Sequence, residues 1–261
     1  MAEGRTSHAA QGIAASPHAV RGSSIRASRG TMNTTTIETA LLARTYLYQI
    51  TQMLFGDEPT EQLIDTFFSE ATDEALDLFA SSETPAFQEA LDAFRSCKTA
   101  HESNHAAFAQ QATRDYTRLL VGPENLKAPP WECVYRTNER VLFQESTLEV
   151  RQAYRSERML PTNYPHVSDD HIAIELDFMN KLSVACRASL RADDLQEYRR
   201  LLGAQRTFLE DHLAWWVPKY ADDLDEAAPA SLYACAGKLV AALCAVDQDL
   251  LAELKQDETR G

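Results

Sequence analysis

A chain of 261 residues with 44% apolar side chains can bury one large core or two small ones. Its formal charge of −14 argues against nucleic acid or an anionic membrane as partner and favours a cationic peptide or protein. No apolar run approaches the roughly 18–20 residues of a bilayer span. Five cysteines, without any C-x-x-C, suggest neither a zinc site nor a disulfide framework but reduced thiols in a cytosol.

Residues 1–31 carry four Arg and one Glu among many Ser, Ala and Gly, and lack the apolar segment of a secretory signal. They read as a disordered tail ahead of a second plausible start at Met32, with an organelle leader as the rival reading. Residues 32–261 read as one all-α, helical-bundle domain. The first helix, over 37–55, places Leu41, Leu42, Tyr46, Ile50, Met53 and Leu54 on a core-facing stripe. Two short helices follow at "LIDTFF" and "EALDLF". Thr84 and Pro85 then supply an N-cap and the proline favoured at the first helical position. That helix, or a successor, continues through "FAQQATRDYTRLL" to Gly122 and Pro123. Ser146 and Glu149 form the S-x-x-E of a capping box at the head of the next. Further on, Ile172, Leu176, Met179, Leu182 and Cys186 mark another apolar face. Two more helices are expected over 195–216 and 232–254. "VLF" at 141–143 is ambiguous between helix and strand.

"HESNH" is literally H-E-x-x-H, which on a helix sets His101 and His105 on one face for zinc, with Glu102 as general base. A zinc-dependent hydrolase is the alternative this match raises. A third protein ligand is not evident, so no metal is expected. Nucleotide-cradling and nucleophile-elbow glycine motifs are absent, and no cofactor is expected. His212, in "EDHLAWW", reads as a core or interface residue.

A series of motifs remains. "RDYTRLLVGPENLKAPPWECVYRTNERVLFQESTLEVRQAYR", then "SDDHIAIELDFMNKL" and "FLEDHLAWW", resembles the TorD/DmsD family of twin-arginine leader-binding chaperones. The departures are Leu120 for Phe, Cys133 for Ser, Gln144 for Gly and Ser168 for Pro. The resemblance implies a cytoplasmic, non-catalytic, all-helical chaperone. Its partner would be the twin-arginine leader of a redox enzyme precursor, a molybdopterin oxidoreductase for example, held until cofactor insertion. Whether the chain is a monomer or a helix-exchanged homodimer stays open.

Such a leader joins two guanidinium groups to an apolar segment, so its receptor needs carboxylates beside an apolar cleft. On this reading Pro129 and Pro130 present Trp131 and Tyr135 as an aromatic wall beside Leu119 and Leu120; the alternative is that Trp131 plugs the core between two helices. Ser168 caps the following helix, so that Asp169, Asp170 and His171 can project from its first turn into the cleft; alternatively the carboxylates serve the unpaired amides and the dipole of that helix. His171 either changes charge near neutral pH and so tunes arginine binding, or takes the more modest role of a hydrogen bond.

Overall fold

The computed structural model describes residues 34–80, 84–122, 126–137, 145–161 and 168–258. The tail 1–31, the "VLF" segment and Gln144 lie outside them. Eleven α-helices are found among the described residues: α1 (Thr34–Gly56), α2 (Glu61–Phe67), α3 (Glu70–Asp77), α4 (Pro85–Ser103), α5 (His105–Tyr116), α6 (Glu132–Thr137), α7 (Glu145–Ser156), α8 (Ile172–Arg191), α9 (Leu195–Phe208), α10 (Ala214–Ala227) and α11 (Leu232–Glu258). Two π-helical turns, Thr117–Val121 and Leu209–Leu213, prolong α5 and join α9 to α10. Among the described residues there is no strand, so the all-α expectation holds.

The core is built on α1, which packs along α8 and also meets α11, while α11 is flanked by α4 and α10. Helix α10 approaches α11 at Gly237, where an added Cβ would stand 2.8 Å from Leu224 Cδ1 and 3.3 Å from Ala221 Cα. A side chain there would force Leu224 to move and crowd the α10 backbone. The apolar face expected on α8 is buried from Ile172 to Cys186.

The stripe on α1 differs from expectation. Leu42 and Met53 are exposed, and the buried face instead runs through Ala40, Leu41, Arg44, Leu47, Tyr48, Thr51 and Leu54. Arg44 sits inside it because its guanidinium is fully paired: Nε and Nη2 each lie 2.6 Å from Asp247 of α11, and Nη1 donates to Ser183 of α8 at 3.0 Å and to Gln205 of α9. Tyr48 adds a hydroxyl to Asp247 at 2.8 Å. Burial alone would pull the Arg44 pKa down, but Asp247 reverses the sign and holds the cation charged.

The capping box at Ser146 is not formed. Ser146 is buried inside α7 rather than ahead of it, and Glu149 reaches outward to Arg136 at 2.7 Å. Thr84 and Pro85 do begin α4 as expected. The chain then breaks at Asn104 (φ −162°, ψ 85°), whose side chain accepts the Ala107 amide at 3.1 Å and caps α5.

Candidate functional site

Two loops distant in sequence are stitched together. Ile172 N donates to Pro130 O at 2.9 Å and Glu132 N to Asp170 O at 3.0 Å, an antiparallel bridge centred on Trp131 and His171. Proline at 129 and 130 holds the strand-like backbone this pairing needs. The Trp131 and His171 rings meet edge to face, 5.8 Å between centroids. Asp170 secures the start of α6, accepting Cys133 N at 2.9 Å and the Ser168 hydroxyl. Asp169 is clamped by Arg151 of α7, whose Nε and Nη2 lie 2.8 and 2.6 Å from one carboxylate oxygen. Its carbonyl accepts the Tyr154 hydroxyl at 2.9 Å.

This arrangement corrects several expectations. Asp169 and Asp170 are fully buried and do not project into a cleft, because desolvated carboxylates must find donors and here find them within their own chain. Leu119, Leu120 and Pro130 are buried too. Trp131, Tyr135 and His171 are half-buried. Tyr135 donates its hydroxyl to Asp223 at 3.0 Å and lies against Trp216, 5.5 Å between rings. His171, not Ser168, caps α8, its Nδ1 accepting the Ala173 amide at 3.2 Å.

Among the described residues an open groove lies between α7 and α9, with a volume of about 890 Å³. Leu148, Glu149 and Ala153 come from α7 and Glu157 from the turn just after it; Gly203, Ala204 and Phe208 from α9; Asp211 and His212 from the π-turn that follows. The wide π-turn re-aims side chains that a regular helix would place differently, a common device at functional sites. Behind the wall stands Glu132, fully buried, which binds His212 Nδ1 at 2.9 Å and Arg136 Nη2 at 3.0 Å. Arg136 spans from Glu132 to Glu149 and lies 5.3 Å over the Trp215 ring. Glu157 is paired with Arg200 at 2.7 and 2.8 Å. The motif residues thus shape the groove from behind, through Glu132, and also line it, through Glu149, Phe178, Asp211 and His212 among others, while Glu157, Gly203 and Ala204 come from outside the motif stretches.

A family model described as nitrate reductase delta subunit matches residues 80–222, a span that contains both the stitch and the groove. The chain belongs to that family. The chaperone protein TorD of Vibrio atlanticus (strain LGP32) is 23% identical over 211 residues, covering 80% of this chain and 94% of the relative. TorD of Vibrio vulnificus (strain YJ016) is 27% identical over 201 residues, covering 72% and 91%. The TorD/DmsD resemblance read from the motifs is therefore upheld.

In this family member one buried acid, Glu175, is tuned by its surroundings. Burial first, then Glu132 and Asp170, hold Glu175 well above the usual carboxylate range, while Trp216 Nε1 donates to it at 3.1 Å. Burial and Asp170 push the Cys133 thiol up to about 12, which leaves it a small apolar filler.

Burial pulls His171 down to about 4, which favours the hydrogen-bonding reading of this residue over a charge change near neutrality. Its folded pKa lies below the unfolded value of about 6.5, so its contribution is present above that value and fades as the pH falls toward 4. Partial exposure of the ring screens the effect to about 1–2 kcal/mol. His171→Asn, which caps without titrating, is expected to lose that much less stability than the native protein between pH 6.5 and 4.5, read by urea unfolding. Equal losses in both would assign the acid sensitivity to other groups.

The H-E-x-x-H match is split by Asn104, with His101 and Glu102 at the end of α4 and His105 at the start of α5. A zincin carries both histidines on one continuous helix, and here that helix is broken. The two imidazoles nonetheless lie together, 4.1 Å between ring centroids. Among the described residues, no helix is long and apolar enough to cross a membrane.

Proposed function

We propose that this chain is a chaperone of redox-enzyme maturation that binds the twin-arginine leader of its client in the groove between α7 and α9, in the cytoplasm before export. The observation that carries this is the pairing of Glu149, Glu157 and Asp211 with an apolar surface formed by Leu148, Ala153 and Phe208 in one open groove. Two of these carboxylates already hold guanidinium groups, those of Arg136 and Arg200, so their geometry suits arginine. A leader's arginines can take over these partners, releasing the protein's own. The charge of −14 steers a cationic leader toward the protein. The family and its TorD relatives support the chaperone role.

Calorimetric titration with a twin-arginine leader peptide, and with one whose arginines are glutamine, tests the assignment. A double variant Glu157→Gln/Asp211→Asn is expected to weaken the arginine peptide about tenfold or more at low salt and to leave the glutamine peptide unchanged. The difference should shrink as ionic strength rises. Equal weakening of both peptides would remove the carboxylates from arginine recognition. Trp131→Ala tests the competing placement: loss of binding in a folded variant would locate the leader at the Pro-Pro-Trp-Glu loop.

A further inference from the structure

Asp65, His101 and His105 come from α2, α4 and α5, and their ligand atoms lie within 4.8 Å of one another. His101 Nε2 is 3.1 Å from Asp65 Oδ1, and His105 Nδ1 is 3.5 Å from the same oxygen. Around a tetrahedral zinc ion, with bonds of about 2.0–2.2 Å, ligand atoms stand about 3.3–3.5 Å apart. Both separations are close to that edge length. The second is long for a hydrogen bond between these groups, which is strongest at about 2.7–3.2 Å. A carboxylate shared by two imidazoles in this way is better served by a cation than by a second weak hydrogen bond.

The three groups are also held unequally, as a binding site requires. His101 is buried and its ring is fixed, stacked on Phe68 at 5.1 Å and edge-on to Phe108 at 5.4 Å. The side chains of Asp65 and His105 are 58% and 63% exposed, so both can adjust around an incoming ion and leave one side open to water. The imidazole and carboxylate donor set suits zinc and its neighbours. Asp65, 36 residues before His101, is the third ligand that the sequence did not disclose.

We propose that Asp65, His101 and His105 bind a divalent transition-metal ion, best matched by zinc, with water in the fourth position. The ion ties α2 to the junction of α4 and α5 and clamps the break at Asn104. Its role is structural: the interruption of the helix after Ser103 parts Glu102 from the continuous helix on which a zincin's base is aimed. The assignment stands apart from leader binding, since none of these residues lines the groove.

The test uses untagged full-length protein, stripped with a chelator and titrated with zinc in competition with a chromophoric chelator. One zinc per chain is expected to bind at about 1 μM or tighter. His105→Ala and Asp65→Ala, both at exposed positions, are each expected to weaken binding a hundredfold or more. Zinc should raise the melting temperature of the native chain by several degrees and leave that of both variants unchanged. The cobalt form should show tetrahedral ligand-field bands without thiolate charge transfer, because all five cysteines are buried. Absence of stoichiometric binding, full binding by both variants, or a thiolate band would each overturn the site.

Discussion

Asp247→Ala is expected to destabilise the protein by about 3–5 kcal/mol, enough to unfold a large fraction of the chain at moderate temperature. The reason is asymmetry. Arg44 and Asp247 are almost wholly shielded from water, and two 2.6 Å contacts join them. With the carboxylate gone, the guanidinium keeps only neutral partners, Ser183 and Gln205, and the Tyr48 hydroxyl loses its acceptor. An uncompensated buried cation then opposes the packing of α1, α8, α9 and α11 at the point where they converge. The paired replacement Arg44→Met/Asp247→Leu removes both charges and should cost far less than Asp247→Ala alone. Urea unfolding of the single and double variants checks this. A loss below about 1 kcal/mol for Asp247→Ala would mean that water or another carboxylate reaches Arg44.

Gly203→Phe is expected to abolish most leader binding, by about thirtyfold or more, while the helix content and melting temperature stay intact. Glycine in the middle of a helix normally costs about 0.5–1 kcal/mol relative to alanine. At Gly237 the crowding of α10 against α11 gives the missing side chain a packing reason, but at Gly203 an added Cβ meets nothing within 4 Å. The space in front of Gly203 is the groove itself, so a phenyl ring there occupies the volume proposed for the leader. Gly203→Ala serves as the control: it should stabilise α9 slightly and leave affinity nearly unchanged. Calorimetric titration with the twin-arginine peptide measures both. Undiminished affinity in a folded Gly203→Phe protein would move the leader to another surface.

Most helices were legible because long apolar periodicities dominate their sequences, as on α8, where every marked position from Ile172 to Cys186 is buried. Failures occurred where partners lie far away in the chain. A stripe count cannot place Arg44 in the core, since its salvation is an aspartate 203 residues later. The break at Asn104 was present in the letters, a capping residue between two helical runs, but the histidine spacing drew attention to continuity instead. In the candidate site the motif residues were visible, but the placement of two of their side chains was not. Asp169 and Asp170 looked like carboxylates for a ligand, whereas backbone pairing between Pro130 and Ile172 turns them inward. Glu132 stood in plain sight inside the Pro-Pro-Trp-Glu motif. Its role depends on His212, 80 residues away, and no local pattern reports that. The one local clue to the groove was Gly203, a glycine amid strong helix formers with no turn to serve.

The burial of all five thiols makes the native protein resistant to alkylation and oxidation, since only an exposed thiolate reacts quickly. Chemical attack therefore waits on opening, and the cysteines differ in which opening exposes them. Cys133 lies at the junction of the two paired loops, its amide held by Asp170, so parting of those loops alone would uncover it. Cys186 and Cys244 lie in the middle of α8 and α11, whose core positions are exposed only when the bundle as a whole comes apart. The chain thus carries built-in reporters of two different events, local release and global unfolding, distinguishable by which thiol a labelling reagent finds first.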